Sequence, residues 1–213
     1  MSTPPASANR FERRRATTRE ALVRAARQIL AESGDTGASI QTIAERADVG
    51  FGSFYNHFTS KADLFDAAVA DVLDEYGRTI DVCLAEVADP AERVAAGVRL
   101  SARMVESNPE IMKILRHRGL GHIFSDRGLA PRALEDVERG VASGRFTVPD
   151  PVIALCAAGG SLLALVELRF VHPGVAGDGA AENMAEMMLR MLGMPPDEAR
   201  EVARRPLPAI VGK

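Results

Sequence analysis

Between residues 39 and 63 the chain gathers side chains that suit a polyanion better than a catalytic centre. At 100° per residue, a short helix over 50–58 turns Phe54, His57 and Phe58 one way and Phe51, Gly52, Tyr55 and Asn56 the other. The outward set joins a phenolic hydroxyl and a carboxamide to a glycine that lets a backbone come close. Tyr55 suits a phosphate oxygen, Asn56 a base edge or a phosphate, and Phe51 a thymine methyl. Ser60 and Lys61 open the next helix, where free amides and an ammonium suit a further phosphate.

These groups need a frame, and the preceding residues supply one. Residues 17–33 open with a capping box, Thr17-x-x-Glu20, place Leu22, Ala25, Ala26, Ile29 and Leu30 on one face, and stop at Gly34. Ser39 caps a second short helix whose face holds Ile40, Ile43, Ala44 and Ala47, and Asp48-Val49-Gly50 reads as a tight turn. A short helix, a glycine-bearing turn and another short helix make a helix-turn-helix, whose second helix enters the major groove of DNA. Ser60-x-x-Asp63 then caps a longer helix running to about residue 86.

Beyond that point the pattern stays helical, over about 90–108, 110–126 in two pieces broken by Gly119 and Gly121, 129–143, 150–171, 180–192 and 195–205. No strand alternation and no internal repeat interrupts it. The chain of 213 residues is 46% hydrophobic, 26% charged and 5% aromatic, enough apolar matter for a real core and a composition that favours helix. Net charge is −3, but residues 1–63 hold nine Lys/Arg against seven Asp/Glu, and Arg10, Arg13, Arg14 and Arg15 cluster ahead of the first expected helix. Positive charge therefore collects at the end that carries the helix-turn-helix.

Several function classes find no support. There is no nucleophile elbow, P-loop, dinucleotide glycine fingerprint or HExxH, so no enzyme and no cofactor are expected. His117 and His122 are five residues apart, about 140° around a helix, and with His172 form no ligand spacing, so no metal is expected. Cys83 and Cys156 read as buried free thiols. Residues 1–9 lack the apolar core of a secretory signal, and the uncharged stretch 151–166 is shorter than a membrane span, so a cytoplasmic location is expected. A helical adaptor that binds protein through Phe51 and Tyr55 remains the competing class, and its binding would respond little to salt.

The run Ser53-Phe54-Tyr55-Asn56-His57-Phe58-Thr59-Ser60-Lys61-Ala62-Asp63-Leu64, with Ser39-Ile40-Gln41-Thr42-Ile43-Ala44-Glu45-Arg46-Ala47-Asp48-Val49 before it, resembles the TetR family of bacterial transcription regulators. Gly50 stands where that family often has a capping Ser or Thr, and Phe51 where it often has a polar or basic residue. The resemblance implies an all-α protein: a basic disordered tail (1–15), a three-helix DNA-binding head with helix-turn-helix (16–62), a larger helical ligand-binding and dimerisation domain (63–204) and a flexible end (205–213). It implies double-stranded operator DNA as partner, touched by Thr42, Phe51, Gly52, Ser53, Tyr55, Asn56, His57 and Lys61. A homodimer is expected through Ala158, Ser161, Leu165, Leu168, Met184, Met188 and Met191. A small apolar effector is expected among Met104, Met112, Leu115, Phe124, Leu162, Val166 and Phe170, with repression as the default sense and the helix after Ser60 as the lever to the head.

Overall fold

The computed structural model describes residues 6–122, 126–177 and 179–208. Its contacts divide the chain after Val72 into two compact units. The expected ligand residue Phe124 lies outside the described residues.

The first unit is built from α1 (Ala6–Ser33), α2 (Ile40–Arg46), α3 (Phe51–Phe54) and the opening turns of α4 (Lys61–Leu84). Leu22, Ala26 and Leu30 of α1, Ile43 and Ala44 of α2, Phe54 and Phe58, and Leu64 and Ala68 of α4 are all buried. Their spacing of three and four residues is what an amphipathic helix requires to share one core. Arg46 pairs with Glu32 at 2.6 Å and Arg27 with Asp71 at 2.7 Å. Gly34 ends α1 with φ 68°, its amide donating to Leu30 O at 2.9 Å, the left-handed stop that glycine makes cheaply.

Two expectations for this unit are corrected. Helix α1 begins at Ala6, so residues 6–15 are helical rather than a disordered tail, and Thr17 does not cap. The Thr17 hydroxyl donates back to Arg13 O at 3.0 Å, as a hydroxyl inside a helix does. Ala, Arg and Glu between residues 12 and 16 are good helix formers, and no glycine or proline breaks the run. Helix α3 is one turn long, since Gly50 has no side chain to cap it and the chain turns towards Ser60 after Phe54.

The second unit holds the remainder of α4 with α5 (Pro90–Ser107), α6 (Pro109–Arg118), a 3-10 turn (Gly119–His122), α7 (Leu129–Ala142), α8 (Pro151–Val171), α9 (Ala180–Met191) and α10 (Pro196–Ala203). Helix α5 is the axis, packed against α6, α7, α8, α9 and α10. Its many small residues, among them Ala91, Ala95, Ala96, Gly97 and Ala102, let neighbours approach from every side. Buried Arg99 is matched by Glu182 at 3.0 Å and by Arg205 O at 2.6 Å, so the charge is not stranded. Asp89 caps α5 through the Ala91 amide at 3.0 Å and receives both Nε and Nη2 of Arg145. Although burial opposes it, these bonds hold the Asp89 carboxyl below its ordinary range. The Phe146 ring packs so close to Gly140 that any side chain there would collide with it.

Helix α8 is apolar and 21 residues long, enough by length and composition to cross a membrane. It packs instead on α5, α7 and α9, and its charged residues are paired, Glu167 with Arg116 and Arg169 with Glu106 at 3.2 Å. Its other side is open: Val152, Ile153, Ala157, Ala164 and Val171 are exposed, and Met187 and Met191 of α9 are exposed as well. Ala158, Leu165 and Met188, expected at a dimer face, turn into the protomer's own interior. Ala157 and Ala164, one residue or a 100° rotation away from Ala158 and Leu165, are exposed instead. Ser161, Leu168 and Met184 are half-buried.

Candidate nucleic-acid interface and internal cavity

The interface is set by the α2–α3 turn. Ser39 accepts the Thr42 amide at 3.0 Å, which fixes the start of α2, and its hydroxyl also meets Thr42 Oγ1 at 2.8 Å. Asp48 has φ 54°, a left-handed conformation that Asp tolerates better than most residues, and the Val49 amide closes the turn on Ala44 O at 3.0 Å. The chain then enters α3 with Phe54 wholly buried as its anchor.

With Phe54 inside, its neighbours must face out. Phe51 is 53% exposed and Tyr55 57%, far above what such rings show in a core. The Tyr55 ring is braced edge-on by Phe51 at 5.9 Å and Phe54 at 5.3 Å, while its hydroxyl meets no hydrogen-bond partner among the described residues. Asn56 is exposed beside it, and Ser53 and His57 are half-buried. A side chain at Gly52 would meet nothing within 4 Å, so the protein's own packing does not demand glycine there. Phe51, Gly52, Tyr55 and Asn56 thus form one open surface.

Lys61 behaves differently from expectation. Its ammonium donates to Ala38 O at 3.1 Å and reaches Gly37 O at 3.4 Å, so it ties the loop before α2 to the start of α4. An ammonium has three donors, and two are accounted for. The α4 terminus is capped as expected, Ser60 Oγ accepting the Asp63 amide at 3.1 Å and Asp63 accepting the Thr59 amide at 3.0 Å.

Sequence reasoning overlooked Arg19 and assigned Arg15 to a tail. Arg19 lies over the Phe58 ring with Cζ 5.2 Å from its centroid. Burial, followed by the charges of Arg15 and Arg19, lowers the His57 pKa below the ordinary imidazole value, so both arginines reach the electrostatic surroundings of α3. Their i, i+4 spacing puts them on one helical face once α1 is known to begin at Ala6.

In the second unit a cavity of about 120 Å³ is lined by α4, α5, α6, α7, α8 and α9. Met112, Leu115, Leu162 and Val166, expected as ligand contacts, line it, and so do Ala158 and Met188 from the expected dimer set. Met104 is buried in the surrounding core and is not among the lining residues. Phe170 is also outside the lining, stacked under the Arg116 guanidinium at 5.4 Å. Most of the wall was missed, including Leu73, Tyr76, Ile80 and Leu84 of α4, and Ala130, Ala133 and Val137 of α7. The α4 set repeats every three to four residues, a signal legible in the sequence, but nothing there says which side of a long helix faces a hollow. Tyr76 bonds Ser101 Oγ at 2.7 Å, and burial pushes its hydroxyl up to about 12. Among the described residues no cluster of three metal-ligating side chains occurs.

Comparison with known proteins agrees with this two-part layout. The model of bacterial regulatory proteins of the tetR family matches residues 22–68, and that of tetracyclin repressor-like C-terminal domains matches residues 89–205. The crystal structure of RolR in complex with resorcinol is 32% identical with a TM-score of 0.64, covering 93% of this chain and 99% of that one. RolR without ligand gives a TM-score of 0.70 at 32% identity, over 90% of this chain and 99% of that one. Among curated relatives, the transcriptional repressor DhaR of a Mycobacterium species is 34% identical over 79 residues, 37% of this chain. The nucleoid occlusion factor SlmA of Vibrio atlanticus is 29% identical over 128 residues, 59% of this chain. The matched stretches span 40% and 64% of those two relatives' own lengths. Matched by both models and similar to RolR along nearly the whole of both chains, the chain belongs to the TetR family of ligand-responsive, DNA-binding transcriptional regulators.

Proposed function

We propose that this protein is a cytoplasmic repressor that binds a palindromic operator as a homodimer and releases it when a small apolar effector enters the cavity. The observation that carries the DNA-binding half is the open surface of α3 and the turn after it, where Phe51, Tyr55 and Asn56 stand exposed and the hydroxyl of Tyr55 and the carboxamide of Asn56 are unspent. Two such helices in a symmetric dimer would meet half-sites about 34 Å apart, one turn of DNA. The uncovered apolar side of α8, continued by Met187 and Met191, supports self-association, since monomers rarely leave a face of that kind in water. A repressor among its relatives, DhaR, supports the sense of regulation.

The cavity supports the sensing half. RolR's complex with resorcinol gives a size for comparison, and a dry apolar cavity of about 150 Å³ holds one benzene ring. An effector that prefers the DNA-free form by about 3 kcal/mol would weaken operator binding roughly 150-fold. Helix α4, which starts at Lys61 and later lines the cavity, is the element through which we propose the two events communicate.

An anisotropy titration on DNA flanking the gene, at two salt concentrations, tests the reading. Wild type binds with a steep loss of affinity as salt rises, because phosphate contacts release counterions. Tyr55→Phe combined with Lys61→Ala weakens binding about tenfold or more and flattens the salt slope. Binding that ignores salt would point instead to a protein-binding adaptor. His57 supplies an independent check on pH. Free His57 has a lowered pKa and is neutral at pH 7; a phosphate beside it favours the charged form, so the complex holds more protons than the free protein. Affinity therefore rises as pH falls from 8 towards 6, and His57→Gln removes that rise; an equal rise in the variant would place His57 away from the phosphates.

A further inference from the structure

The walls of the cavity are hydrocarbon except at a few places, and each polar group there has an accountable partner save one. The Tyr76 hydroxyl is spent on Ser101, whose own hydroxyl donates to Gly97 O at 2.7 Å. Arg127 pairs with Asp74 at 3.1 Å. Asp136 and Arg93 form the remaining pair, Arg93 Nε donating to Asp136 Oδ1 at 2.6 Å, with Arg139 Nη1 on the same oxygen at 3.4 Å. No donor among the described residues reaches Asp136 Oδ2. A buried carboxylate oxygen without a donor is unusual and costly. Burial pushes the Asp136 carboxyl above its ordinary range even with Arg93 beside it, as expected of a carboxylate short of hydrogen bonds.

Arg93 has a second attachment. Its Nη1 donates to Leu84 O at 2.8 Å and to Val87 O at 3.4 Å, the last carbonyls of α4 and of the turn that follows it. The same guanidinium thus holds the cavity's carboxylate and the C-terminal end of α4. Anything that draws on Asp136 acts on a group already fastened to α4.

We infer that the cavity takes a neutral aromatic molecule bearing a hydroxyl, that this hydroxyl donates to Asp136, and that Arg93 carries the contact to the end of α4. The inference rests on the effector-cavity reading above and names its chemistry. A volume of about 120 Å³ suits one ring. An anionic ligand would meet Asp136 with like charge, and a cation would bring an extra charge into a site where Arg93 already neutralises the carboxylate. A hydrocarbon would leave Oδ2 as it is. A phenolic O–H supplies the one missing donor, and a charge-assisted bond of this type is among the stronger ones.

Calorimetric titration of the full chain with phenol, anisole and toluene tests the recognition. The three share a ring, and only phenol donates. Phenol should bind about tenfold or more tightly than anisole and toluene, which should resemble one another. In Asp136→Asn that preference should shrink to about threefold or less, with toluene binding retained as evidence of a folded cavity. Hydrogen exchange tests the relay: phenol, and not toluene, should alter protection of the amides at the end of α4. Equal affinity for all three probes would overturn the hydroxyl contact and leave the cavity as an effector site. Absence of binding by any probe at millimolar concentration would overturn both. A phenol preference that survives Asp136→Asn would assign the hydroxyl to another acceptor, and unchanged exchange at the end of α4 would remove Arg93 from the path. Should Asp136→Asn not fold, the three-probe comparison on wild type still decides the contact.

Discussion

Ala164→Arg leaves a folded monomer that has lost its grip on the operator. Ala164 is exposed on the open side of α8, in line with Ile153, Ala157 and Val171, so an arginine there has room in an isolated chain. In the proposed symmetric dimer the same residue from each protomer would lie against the partner's α8, and two guanidinium groups would have to give up water in an apolar seam. The expected result is a halving of mass in light scattering, with the helical signal retained and a cooperative thermal transition that no longer depends on protein concentration. Operator affinity should fall by about 100-fold or more, because two linked heads gain their avidity from the linkage. A variant that stays dimeric would place the interface elsewhere and would leave the exposed valine, isoleucine and methionines of α8 and α9 unexplained.

Ala133→Phe gives the opposite phenotype, a regulator that holds DNA and cannot be released. Ala133 lines the cavity from α7, and a benzyl group there takes the volume that an effector would occupy. Overpacking costs about 1–3 kcal/mol in a filled core, and less where a hollow already exists. Operator binding should remain within about threefold of wild type, whereas binding of an aromatic probe in the calorimeter should drop about 100-fold or more, the loss of most of a buried ring's transfer energy. Retained probe binding would mean that this hollow is not where ligands enter. The two variants together separate assembly from sensing, which no single substitution on α3 does.

The head was legible because each of its parts is local. Ser39, the Asp48 turn, Phe54 and the Ser60–Asp63 cap are decided by residues within four positions of one another, and all lie where the pattern puts them. The start of α1 was misread because Thr17 and Glu20 imitate a capping box inside a longer helix; a cap needs a non-helical residue before it, and nothing before Thr17 breaks the helix. The body was less legible for a geometric reason. Helices α4 and α8 carry apolar residues on more than one side, so periodicity alone cannot say which side meets a neighbour, a hollow or a second protomer. That ambiguity explains why Ala158 and Leu165 were expected at a dimer face and are found turned inward, and why Tyr76 and Ile80 were absent from the expected cavity. Asp136 and Arg93 are 43 residues apart and have no shared motif, so only the packing of α5 on α7 brings them together.

The chain contains two tyrosines and no tryptophan, and the fold has placed one tyrosine in each of its two sites. Tyr55 stands in water at the end of α3, while Tyr76 forms part of the cavity wall with its hydroxyl on Ser101. Ultraviolet emission from this protein is therefore a two-channel signal without any label: collisional quenchers in solution reach the first ring and are kept from the second. Replacing Tyr55 with phenylalanine leaves an intrinsic optical gauge of the cavity alone, and replacing Tyr76 leaves one of the proposed DNA-facing surface, so occupancy of each can be followed by light in the same cuvette.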